Sequence, residues 1–446
     1  MKINRFLPFF IICAIITGLF FPVTVNADET DLGLPEFPEI ESQYVVLMDA
    51  DTKEVIFSRN QDIRCYPAST TKLLTGLLAI ENCKMDDVIT FSANAVNSIE
   101  YGDAHASIVE GEQLTVEQAL YCLLLRSANE VAFGIAEHVS GNMSSFAALM
   151  NAKAQSIGAV NTNFSNASGL TDIFHYTTPY DMALIARECF NSKELVKISG
   201  HSGIYTIGPT NKNNFTRYYK ARYEMLKGGE YEYEYCKAGK TGYTDAAGNC
   251  LVSYAEKDGL RLVCVIFNSG SVTRYNDTEA LFDFYLNNYK KVSIDKYREA
   301  LANNSIELLE LTGKLSNSSN TTLKFKDEAY LLVPKSINAD NLTTIVTYAD
   351  SPAYSGEVGG FACISFFYED TNVGTLTIFP SDSQSKPSKV PTPYDGATLA
   401  TQEYFYLDIR LIAAGIILFV AVTTITIILI KKKRHYSNRA SKNLYF

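Results

Sequence analysis

The 446-residue chain has no tryptophan and only five histidines: His105, His138, His175, His201 and His435. None stands beside a serine or cysteine motif, so the sequence offers no neighbouring parts for a Ser-His-Asp triad. It has no H-E-x-x-H segment, no C-x-x-C pair and no run of ligands at zinc spacing. A metal-dependent hydrolase is therefore not expected, and no metal or other cofactor is called for. A basic stripe is also missing, and the formal net charge is −10, which argues against nucleic acid as a partner. No internal repeat is present.

Long apolar runs stand only near the two ends. Lys2 and Arg5 precede an uncharged stretch over 6–21, and Val25-Asn26-Ala27 forms a small-residue cleavage site. Residues 1–27 thus read as a signal peptide. Residues 411–430 are twenty uncharged residues, about 30 Å as a helix, the thickness of a bilayer core. Lys431, Lys432, Lys433 and Arg434 follow directly, which places 431–446 in the cytoplasm. A Ser-, Pro- and Thr-rich linker over 381–408 leads into this span. The expectation is a cell-membrane protein with a single C-terminal transmembrane helix and its bulk extracytoplasmic.

Roughly 370 residues lie between these segments, more than one ordinary core accommodates. Strand patterns over 43–58 are followed by helical patterns over 69–80, 115–139, 143–157 and 180–190. Strands return over 235–243, 249–255 and 261–268, and a helical pattern over 278–289 closes the region. Strands at both ends and helices between predict an α/β (α+β) domain over 28–290, its sheet completed by both ends. Over 295–380, short alternating runs such as 329–333 and 361–367 predict a C-terminal all-β domain. Eight cysteines follow the signal, mostly in apolar runs, as small core residues do. Cys250 and Cys264 come near each other if 249–255 and 261–268 form a hairpin, and their redox state stays open.

Three motifs carry the chemistry: Ser69-Thr70-Thr71-Lys72, Ser127-Ala128-Asn129 and Lys240-Thr241-Gly242. A serine hydroxyl is a poor nucleophile until a neighbour takes its proton. Three residues apart at a helix start, Ser69 and Lys72 share a face. Lysine is a base only when neutral, and burial beside a second cation such as Lys240 lowers its pKa. Ser127 can relay a proton to a leaving amine, and the Asn129 amide can hold a substrate carbonyl or Lys72. Lys240 and Thr241 can bind a carboxylate, while Gly242 lets a substrate backbone come close. A second Ser-x-x-Lys, at 383–386, falls in the linker with no helix to organise it.

Together with Asp49-Ala50-Asp51-Thr52, Tyr66-Pro67-Ala68, Asn166-Ala167-Ser168-Gly169-Leu170, Thr178-Pro179-Tyr180-Asp181 and Tyr243-Thr244-Asp245, these motifs resemble the serine-type D-alanyl-D-alanine carboxypeptidases. These are low-molecular-mass penicillin-binding proteins of peptidase family S11. The resemblance covers about 40–290 and implies a serine β-lactamase/transpeptidase-like fold. It implies acylation of Ser69 by the penultimate D-Ala of a peptidoglycan stem peptide, inhibition by β-lactams, and an oxyanion hole from the N–H groups of Ser69 and Tyr243. Arg274 falls where the family has an arginine that helps hold the terminal carboxylate. One alternative is a β-lactamase, but class A enzymes carry Ser-Asp-Asn in place of Ser127-Ala128-Asn129 and need a deacylating glutamate. Glu137 and Glu188 sit in helical patterns without the loop that role requires, so penicillin should acylate Ser69 and leave slowly. The other alternative is a non-catalytic penicillin-binding sensor or scaffold.

Overall fold

Five antiparallel strands, two from before the helices and three from after them, form the central sheet. In the computed structural model, which describes residues 36–302, 323–326, 329–356 and 359–380, these are β1 (Tyr44–Asp49), β2 (Val55–Arg59), β3 (Cys236–Thr244), β4 (Gly248–Lys257) and β5 (Leu260–Ser269). Their order is β2-β1-β5-β4-β3. The inner strands read as unbroken apolar runs because both faces are covered. Val46, Met48, Val263 and Val265 point to one side, into a core with Leu73, Leu74 and Leu77 of α1 (Lys72–Asn82). Val131 and Ile135 of α2 (Asn129–Ser140) and Met182 and Ile185 of α3 (Pro179–Asn191) complete that layer. The alternate residues Val45, Leu47, Leu262 and Ile266 face Leu281, Phe282 and Phe284 of α4 (Thr273–Asn288). Each such side chain contributes about 1.5–3 kcal/mol by leaving water.

Two helical expectations change. Thr178 caps α3, its Oγ1 accepting from the Asp181 N–H, with Pro179 at the first position as the sequence signals. The predicted helix over 115–139, however, is broken. A capping box at Thr115 and Gln118 starts a short helix, Val116–Tyr121, which widens to a π turn over Cys122–Arg126. Ser127 then takes a left-handed conformation (φ 64°), and α2 begins afresh at Asn129. The extra residue of the π turn lets Ser127 leave the helix path, an interruption typical of functional sites. The last helix also starts earlier than its apolar pattern, at Thr273.

Strand Tyr289–Val292 pairs with Leu331–Pro334. A four-stranded sheet follows in the order Leu323–Lys324, Thr371–Pro380, Ala362–Tyr368, Thr343–Tyr348, around Phe325, Val333, Ile364, Phe366 and Ile378. The region is β-rich as expected but not all-β, since helix Asp295–Ala302 enters it. It is tied to the first hairpin: the Tyr330 hydroxyl donates to the Asp49 carboxylate, and Lys291 pairs with Asp51, which also pairs with Arg261 of β5. The described cysteines are all free; Cys250 and Cys264 do lie on hairpin strands, but they face opposite cores. Among the described residues no helix is long and apolar enough to cross a membrane. The expected signal peptide over 1–27, linker over 381–408, membrane span over 411–430 and cytoplasmic tail over 431–446 lie outside the described residues.

Candidate active site

The nucleophile segment is a sharp turn. Ala68 has φ 48°, an uncommon value for a residue with a side chain, and a 3-10 turn over Ala68–Thr71 runs into α1 at Lys72. The Thr70 hydroxyl donates to Pro67 O at 2.7 Å and holds the turn. Ser69 is half-buried, whereas Lys72 is fully enclosed.

Lys72 Nζ has three neighbours: Ser69 Oγ at 2.9 Å, Asn129 Oδ1 at 2.7 Å and the Ser168 carbonyl oxygen at 2.5 Å. Two of these can only accept. The third, a hydroxyl, can also donate. A neutral amine has two N–H bonds and one lone pair, so it satisfies all three when Ser69 donates to Nζ. Burial first, and then the charge of Lys240, hold the Lys72 pKa well below its ordinary value, which favours that neutral form. Glu130 and Asp103 pull the other way.

Lys240, on edge strand β3, is likewise buried; its Nζ donates to Ser127 Oγ at 3.1 Å and to Thr241 O at 2.7 Å. Burial, with the Arg222 and Arg274 guanidinium groups adding to it, lowers its pKa to about 7. The three sequence motifs thus converge: Ser69, Lys72 and Asn129 form one linked set, and Ser127 with Lys240 the adjoining pair. Thr241 is half-buried and Tyr243 largely exposed. Gly242 passes so close that a Cβ there would stand 3.1 Å from Ser69 N, Pro67 O and Ala68 Cβ. That contact brings the edge of β3 against the nitrogen of Ser69. Arg274, at the start of α4, donates to Cys250 O at 3.3 Å and leaves its buried Nε without a partner.

Several contributors were not legible as site residues. Ser168 acts through its main-chain carbonyl, and the loop carrying it is pinned by Asn166 Oδ1, which accepts from the N–H groups of Ser168 and Gly169. Arg222 acts at a distance, by charge. Glu130 takes the Ala106 N–H at 2.6 Å and so anchors a neighbouring loop. His175 is the histidine nearest the motif, but its Nε2 lies 2.9 Å from Thr71 Oγ1, and its Nδ1 accepts from the Ser165 N–H. Burial pushes its pKa down to about 4, so it is a neutral structural group and not a base for Ser69. Glu137 accepts from Ser92 and Asn94, and Glu188 pairs with Lys153; both are engaged on helix surfaces.

The geometry supplies an activated hydroxyl, a proton relay and a cationic edge for an anion. Comparison with known proteins agrees. Residues 32–271 match the family model described as D-alanyl-D-alanine carboxypeptidase. The carboxypeptidase DacF of Bacillus subtilis is 29% identical over 336 residues, covering 70% of this chain and 82% of that protein. DacA of Escherichia coli is 24% identical over 330 residues, covering 71% and 77%. Among solved structures, a D-alanyl-D-alanine carboxypeptidase of Mycobacterium tuberculosis superimposes with TM-score 0.51 at 27% identity, over 56% of this chain and 93% of that one. DacD of Francisella tularensis shares the fold, with TM-score 0.60 at 23% identity over 78% and 94%.

Proposed function

The chain belongs to the D-alanyl-D-alanine carboxypeptidase family, and on that premise we propose that it removes the terminal D-alanine from peptidoglycan stem pentapeptides through an acyl-enzyme on Ser69. The observation that carries the reading is the buried Lys72 amine set 2.9 Å from the Ser69 hydroxyl, with Asn129 Oδ1 and the Ser168 carbonyl as its other partners. A neutral amine satisfies this set while its lone pair faces the Ser69 proton. Ser69 Oγ attacks the penultimate D-Ala carbonyl as its proton passes to Lys72 Nζ. The N–H groups of Ser69 and Tyr243 receive the developing oxyanion. Collapse breaks the C–N bond as Ser127, held by Lys240, passes its proton to the leaving D-alanine and takes up the one that Lys72 received from Ser69, which leaves Lys72 neutral again. Lys240, Thr241 and Arg274 hold the terminal carboxylate. Water then attacks the ester and gives a proton to Lys72, which hands it to Ser69 Oγ as the ester C–O bond breaks, so both residues return to their starting states.

The test is D-alanine release from an acyl-Lys-D-Ala-D-Ala peptide, together with mass mapping of a benzylpenicillin adduct. Release, with a long-lived adduct on the Ser69 peptide, is the expected result. Rapid penicillin turnover would instead indicate a β-lactamase. An adduct without D-alanine release would indicate a sensor or scaffold.

The two lysines must be in different protonation states, Lys72 neutral and Lys240 cationic, so kcat/KM should be bell-shaped in pH. Below the lowered pKa of Lys72 the base is protonated, and the rate falls tenfold per pH unit. Above about pH 7, free Lys240 loses the charge that recruits the carboxylate, and the rate falls again. Lys240→Arg, which stays cationic, should abolish the alkaline limb while lowering the maximum. An alkaline limb unchanged in that variant would assign it to another group.

We further propose that the protein is exported and held at the cell membrane by residues 411–430, with the site extracytoplasmic. Deleting residues 401–446 should release it into the medium. Tight membrane association of the truncated protein would exclude that anchor.

A further inference from the structure

We infer that Cys83, Asp87 and His138 form a zinc site on the scaffold, apart from the catalytic residues. The thiolate, carboxylate and imidazole donors lie within 4.8 Å of one another. Cys83 caps the C-terminal end of α1, Asp87 lies in the loop leading to strand Val88–Thr90, and His138 is in the last turn of α2. Among the described residues neither the Cys83 thiol nor the His138 ring has a hydrogen-bond partner, and both side chains are reachable from solvent. Asp87 is already oriented, its Oδ2 accepting from the Lys84 N–H at 2.8 Å and leaving Oδ1 for a ligand.

The donor set selects the metal. One sulfur, one nitrogen and one oxygen suit zinc, whereas calcium and magnesium require oxygen donors. Bonds of about 2.0–2.3 Å to zinc put tetrahedral donors roughly 3.3–3.8 Å apart, so from separations within 4.8 Å each pair needs to close by at most about 1.5 Å. Rotation of exposed or half-buried side chains supplies that. Water would take the fourth position.

Electrostatics favour a cation at this spot. Two helices end here, and the carbonyl ends of α1 and α2 both present partial negative charge. Binding breaks the Cys83 S–H bond and forms S–Zn, with the proton going to solvent. The thiolate and the Asp87 carboxylate then balance the divalent charge. The two helices joined in this way begin at Lys72 and Asn129, so the ion would staple the far ends of the elements that position the catalytic amine and its amide partner.

The experiment uses the detergent-solubilised full chain, with cobalt(II) and zinc(II) as probes. Cobalt should bind one per chain with a thiolate-to-metal charge-transfer band, and zinc should displace it. Cys83→Ser and His138→Ala should each abolish the band and weaken zinc at least about 100-fold. Cys65→Ser, which removes the half-buried thiol of another region, should change nothing. Zinc should raise the unfolding temperature of the parent and not of the two variants, while all proteins unfold alike without metal. Absence of the band, its survival in Cys83→Ser, or an equal zinc effect on parent and variants would overturn the site.

Discussion

Replacing Ser69 with alanine, or Lys72 with arginine, should each lower D-alanine release about 10⁴-fold or more, and the double variant should be no worse than either single one. The Ser69 hydroxyl and Lys72 amine act as one unit, separated by 2.9 Å. Removing the nucleophile leaves the base nothing to activate, and disabling the base leaves a hydroxyl that does not ionise near neutral pH. Arginine is the sharper replacement for Lys72 because it has similar length but cannot give up its proton to become a base. It also brings a permanent charge into a fully buried position. Stability is therefore followed in parallel, with Ser69→Ala as the variant expected to unfold like the parent. If Lys72→Arg remained folded and retained more than about a tenth of the activity, a neutral lysine base would be refuted. A double variant far less active than both singles would mean that the two residues act independently.

Gly169→Ala should be the most damaging substitution outside the catalytic side chains. Gly169 has φ 84°, and a Cβ there would stand 1.8 Å from Ala68 O and 2.4 Å from Ala68 C. Both atoms are backbone, so neither can swing away. The left-handed conformation alone costs about 1–2 kcal/mol for a residue with a side chain, and overpacking adds about 1–3 kcal/mol. The Ala68 carbonyl precedes the nucleophile, and the adjoining Ser168 carbonyl holds Lys72. A shift of about 1 Å at this junction is expected to reduce kcat/KM roughly 100-fold. Gly102→Ala is the control: its φ is 97°, but nothing lies within 4 Å of the added Cβ. It should show the backbone cost alone and normal activity. Equal losses in the two variants, by thermal unfolding and by D-alanine release, would remove the packing argument.

Strand periodicity and local caps were legible because they are written within a few neighbouring residues. The apolar run at 44–48 already contains both faces of a covered strand, and Thr178-Pro179 announces its helix. The three motifs likewise name side chains that the fold brings together. The sequence could not show the break at Ser127, since residues 119–125 are an unbroken apolar run, buried on every side, in which a one-residue π shift leaves no mark. Nor could it show the Ser168 carbonyl, because every residue has one and only placement makes it a ligand for Lys72.

Sequence by itself determined which groups this protein brings to its chemistry: a hydroxyl, two amines, an amide and a strand edge, in an order shared with one enzyme family. The tertiary structure decided their states. Lys72 is held toward neutrality by burial and by a second lysine from a distant strand, and the Cys83, Asp87 and His138 donors meet where two helices end. Charge and ligation depend on distance and solvent access, and those quantities exist only once the chain has folded.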